Sequence, residues 1–182
     1  MRMGFQKMLE VELLEKGSSH QIWKVEPDVR KYAMAECGGL ESHLTRVLLA
    51  DDHPRVRKGM RNILQRCPDI EVIGEASNGL QALEMVEELA PDILLLDMEM
   101  PVMNGSQVAA RLHQMNSPVQ ILVLSAHDDQ QYIQYMLDAG ASGYIIKEDV
   151  PEILIDAVKG VARGEKGWIS QRVAAKCGSK DR

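Results

Sequence analysis

From residue 45 onward the chain alternates five short apolar runs with five segments whose apolar residues recur at three and four positions. The runs are TRVLLA (45–50), IEVIGEA (70–76), DILLLD (92–97), VQILVLS (119–125) and SGYIIK (142–147). Between and after them lie PRVRKGMRNILQRC (54–67), LQALEMVEELA (80–90), SQVAARLHQM (106–115), DQQYIQYMLDA (129–139) and PEILIDAVKGVAR (151–163). Val56, Met60, Ile63, Leu64 and Cys67 share one helical face, as do Leu154, Ala157, Val158 and Val161. The runs at 47–50, 93–96 and 121–124 are apolar without alternation, which fits parallel strands covered on both faces. Five strands, each followed by a helix, predict an α/β domain with an open, doubly wound parallel sheet and five flanking helices. Right-handed crossovers then favour the strand order 2-1-3-4-5.

Sheets of this kind bind ligands beyond the carboxyl ends of their strands. Asp51 and Asp52 follow the first strand, and Asp97 ends the third. In the 2-1-3 order these strands are neighbours. Taken alone, Asp51 is an N-cap for the helix near Pro54 and Asp97 a strand end. Together they place three carboxylates in one small volume, and these stay ionised only beside a cation. Hard oxygen ligands that leave positions for water and phosphate suit magnesium. Ser125 and Lys147, at the ends of the fourth and fifth strands, reach the same edge. A lysine there neutralises a carboxylate and donates to a phosphoryl oxygen, and a serine hydroxyl donates to another.

DDHPRVRKGMRNIL, LLLDMEMPVMNG, LVLSAHDD and GASGYIIKED resemble the four signature stretches of response-regulator receiver domains of two-component signalling. Asp97, Pro101 and Gly105 stand where that family has aspartate, proline and glycine. The resemblance implies a flavodoxin-like fold with Asp97 as phosphoacceptor. It implies Mg2+ held by Asp51, Asp52, Asp97 and the backbone carbonyl of Glu99, and phosphoryl oxygens bound by Ser125 and Lys147. Tyr144 takes the switch-aromatic position, coupled to Ser125. Glu99 and His127, two residues beyond Asp97 and Ser125, lie where the family tunes hydrolysis. The implied protein is a switch with its own phosphorylation and dephosphorylation chemistry, not a turnover enzyme. Its phosphoryl donor is a sensor histidine kinase, and homodimerisation on activation is a further implied contact. Ile133, Met136 and Leu137 are candidate interface positions, although most of them belong to the core pattern.

The flanks read differently. Residues 1–44 carry a net charge of -1, residues 45–165 of -9 and residues 166–182 of +4, so the body argues against direct nucleic-acid binding. Residues 1–44 form an N-terminal extension of unassigned role, with weak helical character in EVELLEKG and VRKYAMAE and a potential anchor in Trp23. The receiver is expected over 45–164, and 165–182 as a tail or the start of a linker. ARGEKGWISQRVAAK resembles the exit from receivers that carry a helix-turn-helix output. Too few residues follow Trp168 for that output, so DNA would be reached only through a domain outside this chain. The N-terminus is not patterned as a secretory signal and no apolar run spans a bilayer, so a cytoplasmic protein with no membrane contact is expected. Cys37, Cys67 and Cys177 have no metal-ligand spacing and read as reduced thiols.

Three other classes compete. A stand-alone phosphorelay or interaction receiver would have no DNA-binding output. An aspartate-nucleophile phosphatase also uses a strand-end Asp, a Ser, a Lys and magnesium, and Glu99 stands where its second acid would be. It leaves the Asp51-Asp52 pair without a place. A flavodoxin-like binding module would need a glycine-rich phosphate loop before a helix, which the chain lacks.

Overall fold

The computed structural model describes residues 44–127 and 129–170, all within one compact unit, Ser42–Arg182. The readings of EVELLEKG, VRKYAMAE, Trp23, Cys37 and Cys177 lie outside the described residues. The elements run β1 (Thr45–Ala50), α1 (Pro54–Leu64), β2 (Ile70–Ala76), α2 (Gly79–Leu89), β3 (Ile93–Asp97) and α3 (Gly105–Gln114). They continue with β4 (Gln120–Ser125), α4 (Gln130–Asp138), β5 (Gly143–Ile146), a 3-10 turn (Lys147–Asp149), α5 (Val150–Ala162) and β6 (Trp168–Ile169). All pairings are parallel, in the order β2-β1-β3-β4-β5-β6.

The expected order therefore holds, with one strand more than the five expected. Trp168 and Ile169 add a short edge beside Gly143 and Tyr144, beyond residue 164. Two residues are too short for a periodic signal, and the pairing depends on Gly143. A Cβ there would sit 2.6 Å from the Trp168 carbonyl oxygen, so only glycine lets the edge approach this closely.

Strand alternation divides the core into two layers. Val47, Leu49, Leu95, Leu122, Leu124 and Ile145 face α1 and α5, meeting Met60, Leu64, Leu154 and Val158. Leu48, Ala50, Leu94, Leu96 and Val123 face α2, α3 and α4, meeting Ala82, Val86, Val108, Leu112, Ile133 and Met136. This two-sided burial accounts for the unbroken apolar runs of β1, β3 and β4. Ile133 and Met136 are core residues, and Leu137 packs against the same layer, while Tyr135 is exposed. Cys67 is free and buried just beyond α1.

Local chemistry sets the helix starts. Asn78, Asn104 and Asp129 accept from the backbone N–H groups of Gln81, Gln107 and Tyr132, and Gln107 completes a capping box. Gly105 opens α3 directly under the third strand. A Cβ there would lie 2.4 Å from the Asp97 carbonyl oxygen and 2.9 Å from the Met98 Cα. Gly105→Ala is therefore expected to lower stability by about 2 kcal/mol in urea unfolding, because backbone must move to admit the methyl group. An unchanged midpoint would show that α3 does not press on the end of β3 in this way.

No helix among the described residues is long and apolar enough to cross a membrane.

Candidate phosphoryl and metal site

Register brings the strand ends together. Ala50 pairs with Leu96, Asp97 with Leu124, and Ser125 with Ile146, so Asp51, Asp97, Ser125 and Lys147 emerge along one edge. Lys147 Nζ lies 2.7 Å from Asp97 Oδ2 and 2.8 Å from Asp51 Oδ2. The Asp51 and Asp97 carboxylates are buried, and Asp52 is partly exposed beside them. Asp51 is not the N-cap of α1, a position held by His53. Its Oδ1 accepts the His53 backbone N–H at 2.7 Å.

Charge decides what this arrangement accommodates. Burial pushes the Asp97 carboxyl above its ordinary range, against the pull of Lys147, and the nearby Asp51 charge pushes the same way. Burial also opposes the Lys147 ammonium, but the Asp51 and Asp97 carboxylates outweigh it and hold that lysine above its ordinary value. Lys147 thus stays cationic. Three carboxylates against one ammonium leave an excess of two negative charges, which a divalent cation would neutralise. Ligand atoms of Asp51, Asp52, His53 and Asp97 all lie within 4.8 Å of one another. The donors are mainly carboxylate oxygens, so the residues present fit magnesium. Glu99 lies beside them, its backbone N–H donating to Asp97 Oδ1 at 3.3 Å.

Behind the acids, Arg57 ties the first loop to the sheet. Its Nη1 donates to the Asp51 carbonyl oxygen at 2.6 Å and its Nε to Glu75 Oε2 at 3.1 Å, while Arg61 Nε reaches Glu75 Oε1 at 2.6 Å. The Arg61 hydrogen bond, aided by Arg57 and opposed by burial, holds the Glu75 carboxyl below its ordinary value of 4.5. A lowered carboxyl contributes stability above the unfolded value that is lost as pH falls through the folded one. Glu75→Gln is accordingly expected to cost about 1 kcal/mol at neutral pH, a partly exposed network being worth little more. Parallel pH titrations of unfolding should show the difference between the two proteins closing below pH 4.5. A difference that persists in acid would mean that the pairing is not electrostatic.

On the other side, His127 is a junction. Its backbone N–H donates to Ser125 Oγ at 3.0 Å, its carbonyl accepts the Tyr144 hydroxyl at 2.9 Å, and its ring lies 2.8 Å from Glu99 Oε1. Tyr144 is fully buried, and burial raises its hydroxyl pKa, so it remains a donor. The sequence points to each of these residues, but not to His127 as their common partner. The β3–α3 loop also contains Val102, exposed at φ 69° in a tight turn closed by Met103 N–H and the Pro101 carbonyl. A β-branched residue is strained at such an angle.

An open parallel sheet with an acid cluster, a lysine and a serine at its carboxyl edge defines an α/β domain whose strand ends converge on one buried, lysine-paired carboxylate. Residues 47–159 match the family described as the response regulator receiver domain, and the chain belongs to that family. It is 42% identical over 118 residues to the transcriptional regulatory protein DegU of Brevibacillus brevis, covering 65% of this chain and 50% of the relative. It is 41% identical over 119 residues to the nitrate/nitrite response regulator NarL of Escherichia coli K12, covering 65% of this chain and 55% of the relative. A crystal structure of a LuxR-family two-component response regulator from an Aurantimonas species is similar at a TM-score of 0.70 and 30% identity, over 74% of this chain and 96% of that one. The chain spans about half the length of the curated relatives it matches.

Proposed function

We propose that Asp97 accepts a phosphoryl group from a phosphohistidine on a sensor histidine kinase. An Asp97 carboxylate oxygen attacks phosphorus in line, the P–N bond to the donor breaks, and its electron pair leaves with the imidazole. The observation that carries this reading is the Lys147 ammonium shared between Asp51 and Asp97, with Asp52 beside them. Asp51, Asp52, Asp97 and the Glu99 carbonyl would hold Mg2+, which when bound compensates charge on the phosphoryl oxygens. Lys147 follows that charge as it moves from the carboxylate to the phosphoryl group, and Ser125 donates its hydroxyl to a second oxygen. Water attack at phosphorus later releases inorganic phosphate and restores the carboxylate. Glu99 and His127, paired across the mouth of the site, are placed to orient or obstruct that water.

The switch follows from the His127 junction. When Ser125 turns its hydroxyl to the phosphoryl group, the bond from His127 N–H to Ser125 Oγ is lost. The β4–α4 loop is then held through the Tyr144 hydroxyl, so Tyr144 sets the loop's new position. The surface of α4, β5 and α5 carries the change outward, to a homodimer contact or to an output domain. Relatives named as transcriptional and nitrate/nitrite response regulators support transcription as the process controlled, with DNA contacted by the output domain and not by this acidic receiver.

Borohydride reduction after phosphorylation converts an aspartyl phosphate to homoserine. The modified residue is expected at position 97 in peptide mass spectra. Modification at another residue, or at none, would overturn the assignment.

A further inference from the structure

We propose that the groove between α2 and α3 is a contact between two copies of this chain, related by a two-fold axis parallel to those helices. The contact is independent of the phosphoryl reading and lies on a face other than that of α4, β5 and α5. Leu80, at the start of α2, is 46% exposed, and Met115, at the end of α3, is 42% exposed; partly buried Met103 lines the groove with them. Glu84 and Glu87 stand on the α2 wall and Arg111 on the α3 wall, all three exposed. Among the described residues, none of these three side chains has a hydrogen bond or an ion pair. Exposed apolar side chains grouped inside a polar rim mark a contact surface, and methionines adapt to what covers them.

Charge and helix geometry select the occupant. Both helices run against the parallel strands that they connect, so α2 and α3 are parallel to each other. Their starts are level. A Cβ on Gly79, the first residue of α2, would collide with the Met103 carbonyl oxygen just before α3 and lie 2.7 Å from Val108 Cγ2 within it. At about 1.5 Å per residue, Glu84, Arg111 and Glu87 therefore stand about 7.5, 9 and 12 Å along their helices. A two-fold axis parallel to the helices lays α2 of one copy on α3 of the other and preserves those heights. Each Arg111 then falls between Glu84 and Glu87 of the other copy, and Leu80 of each copy meets Met103 of the other. A foreign helix would have to bring a cation opposite α2 and an anion opposite α3, whereas a second copy carries both by symmetry. Two helices about 16 Å long and about 9 Å apart form a small patch. Such a patch is at the low end for specific interfaces, so the dimer is transient, with a Kd expected on the order of 100 μM.

The test is sedimentation equilibrium of the full, unphosphorylated chain from about 10 μM to about 1 mM, a range that brackets the expected Kd. The parent is compared with Arg111→Glu and with the double variant Glu84→Arg/Glu87→Arg, all at exposed positions that leave the core untouched. The parent is expected to dimerise, and each variant to do so at least about tenfold more weakly, because like charges then face each other. An equimolar mixture of the two variants should recover the parent's affinity to within about threefold, since each reversed charge meets a reversed partner. In the parent labelled with carbon-13 at the methionine methyl groups, the Met103 and Met115 resonances should move with protein concentration. A monomer at every concentration, or a dimer that ignores both variants or is not rescued by mixing them, would overturn the proposal. A dimer that forms only on phosphorylation and ignores these charges would place the contact on α4, β5 and α5 and overturn it equally.

Discussion

Asp97→Asn is expected to yield a protein that is more stable than the parent and unable to accept a phosphoryl group. Asp97 is buried, and its charge faces that of Asp51 across one shared lysine. Replacing the carboxylate by an amide of nearly the same shape removes one of three crowded charges. Lys147 keeps Asp51 as its partner at 2.8 Å. Net relief of about 1 kcal/mol is expected, the repulsion being offset by the lost pairing of Asp97 with Lys147. Urea unfolding at neutral pH without added divalent cation measures it. An amide oxygen or nitrogen at this position forms no acyl phosphate, so the chemical loss is complete. A less stable Asp97→Asn protein would show that Lys147 fully satisfies both acids and that no excess negative charge awaits a cation.

Removing the lysine has the opposite effect on stability. Lys147→Ala leaves two buried carboxylates without their counter-charge, while the space it vacates admits some water. The expected cost is about 2–3 kcal/mol, less than the roughly 3–5 kcal/mol for a fully buried pair, because Lys147 is 23% exposed. Phosphorylation from acetyl phosphate should slow by about 100-fold or more, as for other losses of a donor aimed at developing charge. The two substitutions share partners and will not add. Introduced into Asp97→Asn, Lys147→Ala should cost clearly less than in the parent, since only Asp51 is then left unpaired. Equal costs in both backgrounds would mean that the bond from Lys147 to Asp97 carries no energy.

Much of this is legible in the sequence, for identifiable reasons. The strand ILLLD (Ile93–Asp97) is apolar at every position but its last, and only a strand covered on both faces tolerates that pattern. The strand-end acids are equally readable, because the 2-1-3 order makes Asp51, Asp52 and Asp97 neighbours once the strands are placed. Contacts that depend on loop conformation are not. The pairing of Glu99 with His127 joins residues on separate loops, and the Arg57 bond to the Asp51 carbonyl is made to backbone, which no side-chain pattern announces. The sixth strand escapes a periodicity reading because Trp168 and Ile169 pair through the space left by Gly143, not through an apolar run of their own. In the sequence His53 is only a residue between a strand and a helix, and the loop's conformation is what turns its ring towards the acids.

Asp97 is proposed as a phosphoacceptor that works with a divalent cation. The most direct measurement is the intact mass of the protein after incubation with acetyl phosphate, with and without magnesium, beside Asp97→Asn. The expected result is a gain of one phosphoryl group in the parent that requires magnesium and is absent from the variant. A gain that persists in Asp97→Asn, or no gain in the parent under any condition, would contradict the account.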